Sequence, residues 1–386
     1  MLIFNGPENC QGQLFGFDDL DLASNYTRAD DNIQRSPLND YVYDSRYLSD
    51  RLNVRFAKRF IFASTELQVL AEYFHDELNT SSKTRSIKFY EADVYENRAA
   101  LAGVFTFKDT LNTENKLGWN TSLGFRGDFH ANGKRDFTYS AGIQIDIPID
   151  RWRLKPYSHY GKNVKYATLV ENAFIRDLTD FFRDDTMYSR LKPEYNNSGE
   201  LGIEFNYMPA HAVYESIDIS LSLFTSTIYN KLLTRPFDNL ISQAQIGLNV
   251  TKGIEAAFQI NRLWQDFSFM TSFFALDISD PFLYPFKPDF NFTTQLDYFP
   301  TVGFYFRTAY FYEGQSAAWY YNIEDEFQTD TVPGFFDLDV TVGYKLKLSR
   351  FIFNIQLAGY NVLDNSGYRY YTLKKRFLQA SLTIRY

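Results

Sequence analysis

The chain has 386 residues, with 39 Lys and Arg against 47 Asp and Glu, a net charge of −8. That balance argues against a nucleic-acid partner, because a polyanion binder presents a basic face. Mean hydropathy is −0.34, and no apolar run approaches the ~18 residues of a spanning helix, yet 38 Phe, 29 Tyr and 4 Trp make 18% of the chain aromatic. The single cysteine, Cys10, excludes a disulfide framework or a Cys-rich metal site. The four histidines, His75, His130, His159 and His211, show no ligand pair.

At the start, Met1-Leu2-Ile3-Phe4 runs straight into Asn5-Gly6-Pro7, so no secretory leader is readable. Either the protein is not exported or its true start lies elsewhere. Residues 1–50 are irregular and rich in Asp and Asn, with room for one strand near 11–23 and a loop. From residue 51 onward period two dominates, the mark of strands. At 137–147, Phe137, Tyr139, Ala141, Ile143, Ile145 and Ile147 oppose Thr138, Ser140, Gly142, Gln144 and Asp146. A loop helix is predicted at 170–182. Further alternation appears at 200–207, 217–223, 290–298, 336–348 and 378–386. In 336–348, Phe336, Leu338, Val340 and Val342 oppose Asp337, Asp339, Thr341 and Gly343.

These segments run 9–14 residues where soluble strands are nearer 5–6, and a tilted strand crossing a bilayer needs ~9–11. The polar face carries full charges, which suits a wet lumen opposite a lipid-facing side. Links alternate in length. Short ones are Ala63–Thr65, Pro148–Arg151, Pro209–Ala212, Leu263–Asp266, Phe299–Thr301 and Leu348–Arg350; long ones are near 76–96, 164–190, 230–239, 279–289, 314–333 and 364–375. Short turns on one rim and long loops on the other are the pattern of a bacterial outer-membrane barrel. The reading is all-β: a transmembrane antiparallel β-barrel occupying 51–386, with about 15–16 strands present.

Several segments then resemble TonB-dependent outer-membrane receptors. Leu191-Lys192-Pro193-Glu194 followed by Gly199-Glu200-Leu201-Gly202 resembles that family's "LKPE … ELG" strand. Gln243–Phe258, with Gly253-Ile254-Glu255 inside it, resembles another of its strands. Gly359-Tyr360-Asn361-Val362-Leu363-Asp364 resembles the end of the penultimate strand, and Leu382-Thr383-Ile384-Arg385-Tyr386 the terminal aromatic strand. The marks cover 190–386 in order; 51–190 matches in texture only. The resemblance implies part of a 22-stranded barrel, the C-terminal two-thirds of it, with the family's signal peptide, TonB-contacting segment and plug not readable in this sequence. It implies energised uptake of a scarce large ligand: iron–siderophore, haem, cobalamin or glycan. Its partners are then outer-membrane lipid, the outer-membrane assembly machinery, and TonB only through a plug. The alternative is a passive outer-membrane pore of about 16 strands.

Candidate residues follow. Leu382, Ile384 and Tyr386 resemble the terminal signal read by the assembly machinery; an ordinary last strand ending on an interface aromatic would look the same. Aromatics at strand ends suit the headgroup level, but Trp319, Tyr320 and Tyr321 fall inside a long link and are the ligand-contact candidates, with Arg307, which follows an aromatic row. Lumen charges such as Arg126, Asp128, Asp146, Glu200, Glu204, Asp218, Asp337, Asp339 and Lys345 line a solute path, contact a plug, or pair across strands as plain wall. Acidic runs at 177–185 and 324–326 lack EF-hand spacing, so no metal or cofactor is expected. Ser158 and His159 are adjacent and point to opposite strand faces, and no hydrolase or nucleotide motif occurs, so no enzyme is expected.

Overall fold

The computed structural model describes residues 8–17, 20–35, 43–84, 87–112, 117–167, 192–209, 213–237, 240–264, 266–300, 303–321, 327–365 and 375–385. In chain order the strands are β1 (Glu8–Phe17), β2 (Leu20–Arg35), β3 (Tyr43–Phe62), β4 (Thr65–Thr84), β5 (Ile87–Asn112), β6 (Leu117–His130), β7 (Arg135–Ile149), β8 (Trp152–Lys165), β9 (Glu194–Tyr207), β10 (Ser216–Phe237), β11 (Leu240–Leu263), β12 (Phe267–Ile278), β13 (Phe290–Tyr298), β14 (Phe304–Glu313), β15 (Ser316–Tyr321), β16 (Phe327–Val332), β17 (Phe335–Leu348), β18 (Phe351–Tyr360) and β19 (Phe377–Arg385). Seventeen of them form one sheet; β15 and β16 form a separate hairpin. Each strand of the large sheet pairs antiparallel with its chain neighbour from β1 to β14, then β14 with β17, β17 with β18 and β18 with β19. This is the transmembrane antiparallel barrel wall that the alternation predicts.

The count differs from the expected 15–16. The supposedly irregular stretch 1–50 holds β1, β2 and the start of β3. In β2 the face of Leu20, Leu22, Ser24, Tyr26 and Arg28 is too mixed to announce a strand, but its register with β3 is continuous from Leu20↔Lys58 to Arg35↔Tyr43. The expected long loops at 76–96 and 230–239 are also mostly strand. β4 runs to Thr84 and β5 starts at Ile87, while β10 runs to Phe237 and β11 starts at Leu240. These arms continue the ladder past the lipid, where the two strands still satisfy each other's backbone groups. The predicted helix at 170–182 lies outside the described residues.

The strand faces separate by chemistry. Outward residues are large and apolar: Phe137 is 62% exposed, Leu201 61% and Leu357 54%. Water would not tolerate such a surface, but hydrocarbon does. Two rows of rings bound it. At the short-link end, Trp264 touches Phe267 (centroids 6.3 Å), Phe267 touches Tyr298 (4.5 Å) and Tyr298 touches Phe304 (6.4 Å), with Trp152 against Tyr207 at 4.4 Å. Toward the long-link end lie Phe290 with Tyr312 (6.0 Å) and Tyr310 with Phe336 (6.4 Å). Phe290 and Tyr298 stand eight residues apart on β13, about 26 Å along the strand. Tilt shortens that to ~20 Å, near the ~25 Å apolar band of an outer-membrane barrel.

Buried apolar residues among those described are few on the inner face and, Leu78 apart, small: Ala57, Ala100, Ala309 and Ala358. Aromatics there lie flat across glycines directly opposite, Tyr157 over Gly202, Phe224 over Gly253 and Tyr305 over Gly343, where an added Cβ would collide with the ring. The two-residue turns at the short-link end start in left-handed backbone, at Ala63 (φ 48), Asp150 (φ 53) and Ser349 (φ 53).

Leu221 is outward and mid-strand in β10, and Ser220 beside it is inward. Leu221→Arg is expected to cost ~2–4 kcal/mol in urea unfolding of the lipid-inserted protein. Ser220→Arg should cost under ~1 kcal/mol, because its side chain enters water.

Candidate functional site

The densest polar constellation sits on the inner wall at the long-link end of β4–β8. Arg126 on β6 is its centre. Its Nε donates to Asp128 Oδ2 (3.0 Å), its Nη2 to Asp128 Oδ1 (2.9 Å), and its Nη1 crosses to Glu72 Oε2 on β4 (2.7 Å). The i, i+2 spacing on one strand puts Arg126 and Asp128 on the same face. Asp128 is 1% exposed, so its charge depends on that two-pronged pairing. Arg98 on β5 approaches Asp128 from the other side (Nε–Oδ1 3.7 Å).

Aromatic rings close over this network. The Arg98 guanidinium lies 4.7 Å from the Phe74 ring centre and 4.6 Å from that of Tyr166, which follows the end of β8. Tyr166 also meets the His130 ring edge-on at 4.6 Å. His130 in turn lies between two carboxylates, Nδ1 at 3.2 Å from Glu96 Oε1 and Nε2 at 3.5 Å from Asp136 Oδ2. Burial, and then the Asp128 and Asp136 carboxylates, push the Tyr166 phenol well above its ordinary range. It therefore stays neutral. Beside these side chains opens a cavity of about 800 Å³, lined by Arg51, Asp76, Glu96, Arg98, Arg126, Asp128 and Tyr166 among others. Arg51 Nε is itself paired to Asp76 at 2.8 Å. The arrangement offers mixed charges and aromatic faces to a guest. No group of three or more His, Cys, Asp or Glu among the described residues could hold a metal ion.

The sequence-derived candidates are not brought together. Arg307 sits on the inner face near the short-link end of β14, with its Nε 2.6 Å from Asp297 Oδ1 and its guanidinium 6.0 Å from the Phe299 ring centre. Trp319, Tyr320 and Tyr321 belong to β15, at the opposite end, paired with Thr329, Gln328 and Phe327; their side chains fall outside the described residues. Glu313, at the long-link end of β14, stands six positions beyond Arg307, about 20 Å of strand. Leu382 and Ile384 face outward on β19, and Tyr386 lies outside the described residues.

Most lumen charges pair with neighbours as wall residues do: Asp146 with Arg153 (2.8 Å), Glu204 with Lys155 (3.8 Å) and Glu200 with the Tyr157 hydroxyl (2.8 Å). The acidic runs at 177–185 and 324–326 lie outside the described residues. What the sequence conceals is the grouping of Glu72, Arg98, His130, Asp136 and Tyr166 around Arg126 and Asp128. Only the strand register, which sets Glu72 on β4 level with Asp128 on β6 through Ala100 of β5, reveals it.

With the wall and its inner network described, comparison with known proteins is decisive. The family model described as TonB dependent receptor-like, beta-barrel, matches residues 9–362. The chain belongs to the TonB-dependent receptor family. It is accordingly a barrel of the bacterial outer membrane. Solved structures share its fold. It is 14% identical to the siderophore receptor PirA from Acinetobacter baumannii (TM-score 0.64), covering 96% of this chain and 60% of that one. It is 15% identical to the pyoverdine receptor FpvA from Pseudomonas aeruginosa PAO1, there bound to pyoverdine (TM-score 0.61; 97% and 60%). It is 12% identical to the copper transporter OprC (TM-score 0.63; 95% and 61%). The chain thus spans about 60% of the length of the receptors it matches. The family and these neighbours are receptors and transporters rather than enzymes. No curated protein sequence matches the chain.

Arg126→Leu strips the buried Asp128 of its two-pronged partner and is expected to cost about 3 kcal/mol. Asp128→Asn, which keeps a hydrogen-bonding group and removes the charge, should cost less. Urea midpoints of the lipid-inserted variants check the order.

Proposed function

We propose that the chain is the barrel part of a TonB-dependent uptake receptor for a scarce metal chelate of the siderophore class. The observation that carries this reading is the 800 Å³ cavity of mixed charge and aromatic rings at the long-link end of a barrel in this family. A chelate of this class presents carbonyl and carboxylate oxygens, for which Arg98, Arg126 and the neutral Tyr166 are donors. The siderophore receptors and the copper transporter among its structural neighbours support the same class. The hairpin carrying Trp319, Tyr320 and Tyr321 supplies a second contact surface at the same end. Arg307, held by Asp297 at the other end, is a lumen residue that a ligand meets only in passage.

In this reading the wall and the outer links capture the ligand, and a plug pulled by TonB releases it inward. The terminal strand, with Leu382 and Ile384 outward and Tyr386 last, serves as the assembly signal; its alternation and its place at the end of the ladder support that role.

The test is uptake of a panel of radio-iron and copper chelates by cells expressing the native gene product, with and without functional TonB. One chelate should accumulate only where TonB works, and Arg98→Ala or Arg126→Ala should weaken its binding at least tenfold. Equal uptake in both strains, together with steady conductance in planar bilayers, would instead identify a passive pore.

A further inference from the structure

Away from the network around Arg126, the long-link end holds a second group of charges, and the wall does not neutralise it. Its centre is Tyr284, in the link between β12 and β13. Lys231 Nζ lies 4.5 Å from the Tyr284 ring centre and Lys287 Nζ 5.4 Å from it. Lys165, at the end of β8, is a third ammonium whose charge acts on Lys231. Its register partner on β9, Glu194, acts on Lys231 with the opposite sign. Lys231 is half-buried, whereas Lys165 and Lys287 are exposed. Among the described residues, none of Lys165, Lys231 and Lys287 forms a salt bridge, in contrast to Arg153, Lys155 and Arg307, each of which sits beside a carboxylate.

The fold assembles this group against the pleat. By strict alternation Lys231 would share the outward face of Leu221, Leu223 and Tyr229. Asn230 before it has left-handed backbone (φ 56), and its Nδ2 donates to Pro193 O (3.1 Å). Past that break Lys231 meets Tyr284. The ring is itself held: Tyr284 N donates to Pro281 O (3.0 Å), Lys287 N donates to Tyr284 O (3.1 Å), and the Tyr284 hydroxyl is hydrogen-bonded to the buried Thr251. Burial holds the Tyr284 phenol above its ordinary range, so the ring brings no charge to balance the lysines.

Three ammonium groups and one carboxylate leave local positive charge in a chain whose total is −8. Like charges gathered around a half-buried member repel, and an anion placed among them removes that repulsion. The cavity around Arg126 is the weaker place for a full negative charge. Five carboxylates and three guanidinium groups line it, and Arg126 is already divided between Asp128 and Glu72. We propose that Lys165, Lys231 and Lys287 form an oxyanion site beside Tyr284, which takes a carboxylate or phosphate group of a solute entering at the long-link end. Compact ammonium groups on flexible stems suit such an anion as point charges. Anion occupancy there does not depend on which guest enters the cavity around Arg126, nor on TonB.

The test uses pyridoxal 5′-phosphate, an anionic aldehyde that condenses with a lysine amine, losing water, to an imine that borohydride reduces. The native gene product in detergent is labelled, and modified peptides are quantified by mass spectrometry against the exposed turn residue Lys134. Lys165 and Lys287 should be labelled about fivefold faster than Lys134, and by a smaller margin with pyridoxal, which lacks the phosphate. Citrate or inorganic phosphate, at ionic strength matched with sodium chloride, should slow that labelling about fivefold or more. Protection by citrate alone assigns a carboxylate guest, by phosphate alone a phosphate, and by both a site that accepts either. Lys231→Gln with Lys287→Gln should weaken anion protection of Lys165 about tenfold, whereas Lys231→Arg with Lys287→Arg, which keeps both charges, should lose less than about threefold. Protection by neither anion overturns the proposal. So does labelling of Lys165 and Lys287 no faster than Lys134, or undiminished protection in the Gln double variant. None of these readouts requires transport, so a failed uptake panel leaves them intact.

Discussion

A peptide group inside hydrocarbon has no water to bond, and that constraint governs this molecule more than any side-chain contact. Every strand that crosses the lipid must be paired on both sides. The simplest solution is a meander, each strand bonded to its chain neighbour, and the wall follows it from β1 to β19 with one excursion into the β15–β16 hairpin. The alternation of side chains is then imposed by the pleat. One face meets lipid and must be apolar; the other encloses water and takes the charges. Most register shifts fall at strand ends, between Ile260 and Leu263 beside the tight link to β12, between Ser82 and Lys83 at the tip of the β4–β5 arm and between Thr110 and Asn112, while the one between Gln13 and Phe15 lies within β1.

On the wet face, electrostatics does two different things. Pairs such as Arg59 with Glu66 (2.8 Å) or Arg153 with Asp146 are half-exposed and contribute little individually. Their role is to keep a charged wall locally neutral. Around Asp128 the balance changes. A carboxylate 1% exposed needs its partners, and Arg126 answers with three of its donors divided between Asp128 and Glu72. Removing either side there leaves a charge in a place water reaches poorly, so this is where the wall is most intolerant.

How much of this the sequence reveals depends on where each strand stands relative to the lipid. At 137–147, 217–223 and 336–348 both faces lie within the bilayer, so apolar and polar residues alternate without fault and the strands are plain. Beyond the bilayer the outward face is free to be polar. Asp50 and Glu77 therefore disguise long arms of β3 and β4 as loop, and the mixed faces of β1 and β2 read as an irregular segment. The turns are quiet for another reason: left-handed positions are filled by Ala63, Asp150 and Ser349 rather than the Gly or Asn that would mark a hairpin. Arg126 and Asp128 are recognisable as lumen residues because they lie two apart on a clear strand. Their partners are not, since Glu72 is 54 residues away and Tyr166 sits in a link. Arg307 misleads in the opposite sense. Its twelve-residue separation from Trp319 suggests proximity, but β14 carries the chain from one end of the barrel to the other within that interval.

The two ends of the barrel are built for different purposes. At the short-link end, turns such as 63–64 and 349–350 only reverse the chain. At the other end the links bind one another. Phe286 N donates to Ala317 O (2.8 Å) and Asp289 N to Gln315 O (3.1 Å), which fastens β15 to the link between β12 and β13. The fully buried Asn249 reaches that same link through Asp280 O (3.3 Å), and Leu283, Ala318 and Val332 are buried at this end. The hairpin bearing Trp319, Tyr320 and Tyr321 is thus held by its neighbours, not left to close on a guest. A surface ordered in advance spends less of its binding energy on its own ordering, and selection among similar ligands depends on that economy. On the proposed uptake reading, discrimination belongs to the outer links and the network around Arg126. The apolar outer wall is fixed by the lipid and has little freedom to take part.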